Sequence, residues 1–353
     1  METNQDHEMG IIFSKIIKLI SLNALLVITL LGLAFLFRFD PDFLSRFGNK
    51  AKVSAPGTTE TPPAGLPAEK MWQAPDLASL PASAETEKIK YGRELVAHTA
   101  KYLGPEGSVM QISNGMNCQN CHLEAGTKTF GNNYAVVAST YPKFRARSGT
   151  EEDLPKRVND CFERSLNGKP LEKDSEEMLA LVAYINWVGK DVAKGEKPKG
   201  AGLIELPLLD RAADPIKGQA LYVQKCQNCH GAEGEGMKQA GNPEYQFPPL
   251  WGQHSYNNGA GLYRISTFAR YVKANMPLGA SYKNPILTDE EAWDLAAFVN
   301  SMARPEKDLS NDWPDISAKP FDHPFGPFAD NLPVAQHKYG PYQPIIEAKK
   351  RVQ

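Results

Sequence analysis

The stretch Cys118-Gln119-Asn120-Cys121-His122 reads C-x-x-C-H, the attachment signature of a c-type haem. In that chemistry the two thiols become thioethers to the porphyrin and the histidine supplies an axial nitrogen to iron. The same five residues recur as Cys226-Gln227-Asn228-Cys229-His230. A Cys-x-x-Cys alone also fits a zinc site or a redox dithiol, but a histidine directly after each pair argues against both. The expectation is two covalently bound haem c groups with iron. One is held by Cys118, Cys121 and His122, the other by Cys226, Cys229 and His230.

Each motif is framed by helical patterns. Glu85 to Lys101 has apolar residues at helical spacing, including Ile89, Leu95 and Val96, and leads into the first motif. Ser175 to Val188 follows it, with Ser175 as N-cap and acidic residues in the first turn. Tyr184 and Trp187 share a face there, suited either to the first helix and the haem edge or to ordinary core packing. Asp214 to Val223 leads into the second motif, and a helix capped by Thr288 runs to about Met302. No strand pattern stands out. The fold class is therefore mainly α, with two tandem class I-like cytochrome c domains at 85–200 and 201–305. Residues 190 to about 213 carry Lys, Gly and Pro in linker-like proportion. From Ala303 onward prolines and aromatics without period predict an irregular C-terminal wrap, residues 306–353, packed on the domains.

A second axial ligand is sought in the loop before each closing helix. Met276 fits in the second half, 46 residues after His230 and 12 before Thr288. A thioether there raises the haem potential relative to stronger donors; His254 is the rival. The matching place in the first half holds no methionine but Cys161, 39 residues after His122 and 14 before Ser175. Met178 is the rival, inside the helix. A thiolate stabilises ferric iron and is also the nucleophilic form of cysteine. Around it lie Lys143, Arg145, Arg147, Lys156, Arg157 and Arg164, interspersed with Glu151, Glu152, Asp153, Asp160 and Glu163. Such arginines suit either oxyanion binding or a solvated face.

The chain has 353 residues, a formal net charge of −2 and five cysteines. The charge gives no hint of a nucleic-acid partner, and haem attachment leaves Cys161 as the one remaining thiol. Leu19 to Phe37 is apolar apart from Ser21, Asn23 and Thr29. At roughly 20 residues it is long enough to span a bilayer. Arg38-Phe39-Asp40-Pro41-Asp42 follows instead of a small-residue cleavage site, which favours an uncleaved anchor over a signal peptide. The expected layout is an N-terminal segment 1–45 with its anchor helix at about 15–38, then a flexible linker at 46–84 rich in Pro, Ala, Thr and Ser, with order beginning near Met71-Trp72. The haems place the domains in the periplasm, tethered to the cytoplasmic membrane by a single pass.

These residues together resemble the tetrathionate-forming thiosulfate dehydrogenases, a family of di-haem c-type cytochromes. The resemblance runs from about Trp72 to Ile345. Its most specific part is Arg157-Val158-Asn159-Asp160-Cys161, with Phe144-Arg145-Ala146-Arg147, Arg164-Ser165-Leu166-Asn167-Gly168 and Asn275-Met276-Pro277 beside it. It implies that two thiosulfates are joined into tetrathionate with release of two electrons, a reaction some members run in reverse. Cys161 would be the axial ligand of the active-site haem and carry a covalent sulfur adduct. Arg145, Arg147 or Arg157 and Ser165 would hold the anion. The second haem would pass electrons to a c-type cytochrome or a membrane respiratory complex. Asn275 stands where some members place a ligating lysine, which argues against a lysine–methionine switch. The competing readings are a membrane-tethered electron carrier without substrate chemistry and a thiosulfate-transferring cytochrome that needs an acceptor protein.

Overall fold

Two helix crossings, one per haem motif, set the architecture of the computed structural model, which describes residues 71–352. The first pairs α1 (Ala84–Ala97) with α3 (Glu176–Val188); between them in sequence lies α2 (Leu154–Arg164). The second pairs α4 (Pro215–Lys225) with α6 (Asp289–Ser301), with α5 (Ile265–Asn275) packed on α6. The four framing helices lie where the apolar periodicity puts them. The side chains of Ser83 and Ser175 cap α1 and α3, and Thr288 and Glu291 form a reciprocal capping box on α6.

Glycine makes both crossings possible. A Cβ on Gly92 would lie 2.0 Å from the Ala180 carbonyl oxygen, and one on Gly218 would lie 2.0 Å from that of Asp294. Backbones therefore touch at each crossing, and large residues close around the contact. Leu95, Val96, Leu181 and Tyr184 are buried at the first, and Tyr222, Trp293, Leu295 and Phe298 at the second. Each fully buried apolar side chain contributes about 1.5–3 kcal/mol. Tyr184 serves this core, its hydroxyl donating to the Ala125 carbonyl at 2.9 Å.

The structure departs from the sequence expectation in four places. The middle of each half, expected to be loop, holds a helix, α2 and α5, and Cys161 lies inside α2. Two short antiparallel hairpins are present, β1 (Lys143–Arg145) with β2 (Thr150–Glu152) and β3 (Met237–Lys238) with β4 (Tyr245–Phe247). Strands of two or three residues are too short to show a period of two. The C-terminal segment is also not wholly irregular: it ends in α7 (Val334–Tyr339) and α8 (Gln343–Val352). Ile345 of α8 is buried while Lys350 and Arg351 are exposed, and so short a helix shows little periodicity. Finally, the described linker-like residues, 71–84 and 190–213, pack onto the domains. Trp72 is buried and its N–H donates to the Lys199 carbonyl at 2.8 Å. Trp293 Nε1 donates to the Pro207 carbonyl at 2.9 Å. These backbone groups find partners, so the segments are ordered despite their composition.

The wrap ties both halves together. Asp312 pairs with Arg164 through two 2.8 Å hydrogen bonds, and Asp322 accepts from Arg264 Nε at 2.7 Å. The anchor at 15–38 and linker residues 46–70 lie outside the described residues. No helix among the described residues is long and apolar enough to cross a membrane.

Replacing Gly218 with alanine should destabilise the holoprotein by roughly 1–3 kcal/mol, the usual cost of overpacking a tight contact. Gly261→Ala, where an added Cβ meets nothing within 4 Å, should not. Thermal unfolding of the two variants measures this, and equal melting temperatures would contradict the crossing argument.

Candidate functional site

The first C-x-x-C-H turn forms one wall of a cleft. Cys118–Asn120 is a single tight helical turn, closed by the Asn117 N–H donating to Asn120 Oδ1 at 2.7 Å. The Cys118 N–H donates to Thr99 Oγ1 at 2.9 Å, so the end of α1 fixes where the thiols stand. His122 Nδ1 lies 2.5 Å from the Asn132 carbonyl. A backbone carbonyl there requires the proton on Nδ1 and leaves the Nε2 lone pair toward the cleft, the orientation metal-bound histidines adopt. The rest of the cleft is apolar, with Val96, Met116, Leu154, Val158 and Leu181 on its walls. Two thiols, an oriented imidazole and an apolar slot fit a covalently attached haem.

Helix α2 supplies the opposite wall. Asp153 caps it, its side chain accepting from the Lys156 N–H at 2.9 Å, and Pro155 stands in its first turn. Arg157, Cys161 and Ser165 follow at spacings of four and all line the cleft. Arg157 Nη1 lies 2.9 Å from Cys161 Sγ. Three thiols thus share one cleft in different environments. Burial pushes Cys118 and Cys121 up to about 12. Burial also pushes Cys161 up, but the Arg157 guanidinium outweighs it, with help from His122, and brings the thiol down to about 6. At neutral pH Cys161 is the thiolate of the three.

Arg145 and Arg147 stand outside the cleft wall, on β1 and in the turn after it. Arg145 Nη1 donates to the Tyr141 hydroxyl at 2.9 Å, and its Nε lies 3.7 Å from a carboxylate oxygen of the buried Glu152. The Arg147 carbonyl accepts from the Trp313 N–H at 2.7 Å, and its guanidinium lies 5.8 Å from the Trp313 ring. Burial and the nearby Arg164 charge lower Arg147 to about 10, and its Nε has no hydrogen-bond partner. Arg164 itself is committed to Asp312. Tyr134, whose ring lies 4.6 Å from that of His122, and Tyr141 and Trp313 were not singled out by sequence, and Glu152 was named only among the interspersed acids. Only Trp313 had a signal, as part of the aromatic tail. Met178 is fully buried in α3 and does not line the cleft.

The second motif repeats the scheme with a larger cavity of about 350 Å³. His230 Nδ1 donates to the Pro248 carbonyl at 2.8 Å, again freeing Nε2. Tyr222, Tyr256, Phe268, Tyr271 and Leu295 line the cavity, and so does Met276 just after α5. His254 is exposed and does not line it. Asn275 is buried, donating to the Phe130 carbonyl at 3.1 Å and the Tyr271 carbonyl at 3.0 Å, so it faces away from any ligand role. The two clefts adjoin: Met116, Asn117 and Cys121 line both.

Comparison with known proteins follows the same division. The cytochrome c family matches residues 216–303, and the SoxA/TsdA cytochrome c domain matches residues 108–193. A thiosulfate dehydrogenase of Stutzerimonas stutzeri is 38% identical over 238 residues, covering 67% of this chain and 74% of the relative. One of Allochromatium vinosum is 40% identical over 235 residues, covering 65% and 83%. The solved structure of thiosulfate dehydrogenase (TsdBA) from Marichromatium purpuratum superposes with a TM-score of 0.61 at 33% identity. That match covers 67% of this chain and half of the other. With two haem-motif clefts, a cysteine in the first and relatives at this identity, the chain belongs to the thiosulfate dehydrogenase family, cytochrome c enzymes, and carries two covalent haem c groups.

Proposed function

We propose that this protein oxidises thiosulfate to tetrathionate in the cleft of the first haem and delivers the electrons outward through the second. The observation that carries the reading is the Arg157–Cys161 pair at 2.9 Å in a haem cleft. A plain electron carrier has no need of a cysteine held as thiolate by a buried arginine. In this reading Cys118, Cys121 and His122 hold the first haem and Cys226, Cys229 and His230 the second. Cys161 and Met276, which line the two clefts, would supply the other ligand to each iron.

The haems supply one-electron sinks; the protein supplies the rest. Two thiosulfate dianions repel each other, and the Arg157 guanidinium at the thiolate offsets part of that repulsion. Arg145 and Arg147, behind Tyr141 and Trp313, add positive charge to the approach, and Ser165 offers a hydroxyl on the cleft wall. The chemistry divides into two steps on Cys161. First, its thiolate sulfur bonds to the sulfane sulfur of one thiosulfate with loss of two electrons, giving a Cys–S–S–sulfonate. Second, the sulfane sulfur of another thiosulfate attacks that outer sulfur, tetrathionate leaves, and the Cys161 thiolate is restored. Both steps are reversible, so the same groups serve tetrathionate reduction. The reading extends to a single membrane anchor at about 15–38, periplasmic domains, and a c-type cytochrome or membrane respiratory complex as acceptor. The apolar run from Leu19 to Phe37 supports the anchor.

Cys161→Ala should keep both haems in the visible spectrum yet lose thiosulfate-dependent ferricyanide reduction; turnover near the wild-type rate would sink the covalent reading. Arg157→Gln should lower kcat/KM by about 10²–10³, the usual loss for one electrostatic donor. An unchanged value would assign Arg157 to folding alone. Removal of residues 1–45 should release the enzyme from membranes with kcat unchanged, as seen by fractionation and assay; a truncated form still in the membrane fraction would refute the anchor.

A further inference from the structure

Glu244 stands just before β4 of the second haem domain, yet its carboxylate is spent on the first. Its side chain is only 9% exposed. One oxygen accepts from Asn117 Nδ2 at 3.0 Å and lies 3.0 Å from His98 Nδ1. The other accepts from Asn242 Nδ2 at 3.1 Å. The hairpin holds the residue in place, since the Glu244 carbonyl accepts from the Gln239 N–H at 2.9 Å and its own N–H donates to Asn242 Oδ1 at 3.0 Å.

Asn117 makes this contact consequential. It directly precedes Cys118, is itself buried, and fixes the haem-bearing turn from both sides. Its Oδ1 accepts from the Ala100 N–H at 2.8 Å, and its N–H donates to Asn120 Oδ1. Asn117 lines both clefts, and Tyr245, next to Glu244, lines the second. The carboxylate thus meets two amide donors and a histidine ring nitrogen at a buried position. A charge in such a setting acts over several ångströms with little screening. Negative charge near a haem favours the ferric over the ferrous state.

We propose that Glu244 is a positioning and redox-tuning residue, reaching from the second domain onto Asn117 so that its negative charge lies against a residue common to both cleft walls and lowers both haem potentials. The carboxylate belongs neither to the substrate cleft nor to either axial ligand set. The inference rests on the two haems and not on the identity of the substrate.

Spectroelectrochemical titration of the holoprotein with mediators tests it without thiosulfate. Glu244→Gln keeps the side chain's size and removes its charge, and should shift both midpoint potentials upward with two haems still present. Asn242→Lys brings an ammonium to the same carboxylate from the half-exposed side and should shift them in the same direction, which decides the matter if the Glu244 variant does not retain haem. Wild-type potentials in a haem-loaded Glu244→Gln, or in Asn242→Lys, would overturn the proposal and leave Glu244 as a structural bridge only.

Discussion

Arg157 and Cys161 stand one helical turn apart on α2, and the chemistry of the protein depends on their contact. A buried thiolate is stable only beside fixed positive charge, and removing one partner of a buried ion pair typically costs about 3–5 kcal/mol or drives the other to its neutral form. The four-residue spacing puts guanidinium and sulfur on one helix face. The cap at Asp153 and the apolar contacts of Val158 and Phe162 hold that face against the haem turn. The result is one reactive thiolate among three cleft cysteines, opposite an imidazole already oriented for iron.

Distant parts of the chain converge on that helix. The end of α2 is clamped by Arg164 against Asp312, 148 residues later, and the following Trp313 covers Arg147. The C-terminal wrap is thus part of the basic surround of the first cleft as well as cover for the domains. The two domains also share a wall, at which Tyr271 of the second donates to the Asn120 carbonyl inside the first C-x-x-C-H turn at 2.8 Å. Adjacent clefts suit a reaction in which two electrons leave one site one at a time.

Much of this was legible because it is local. A C-x-x-C-H motif is five residues long, the framing helices carry their own caps and periodicity, and the run from Arg157 to Ser165 carries the family resemblance. Met276 was found from its offset to His230, and Cys161 from a similar offset in the first half. What sequence could not give was non-local. Arg145 and Arg147 read as candidates equal to Arg157, but β1 and the turn after it carry them to Tyr141, Glu152 and Trp313, outside the cleft wall. Glu244 is an unremarkable acid in a loop until the fold lays it on Asn117. The hairpins and the last helices were missed because elements of two to ten residues show too little period. The order of the second linker was missed because Pro- and Gly-rich composition reports local preference and not the backbone hydrogen bonds that Trp72, Phe130 and Trp293 make with it.

The central claim is that Cys161 carries substrate sulfur during turnover. Mass spectrometry of the peptide containing Cys161, from holoenzyme quenched in acid after mixing with tetrathionate, tests it most directly. The account predicts a Cys161 peptide heavier by one sulfane-sulfonate group, with the mass restored by added thiosulfate. A Cys161 peptide that stays unmodified while the enzyme interconverts thiosulfate and tetrathionate would contradict it.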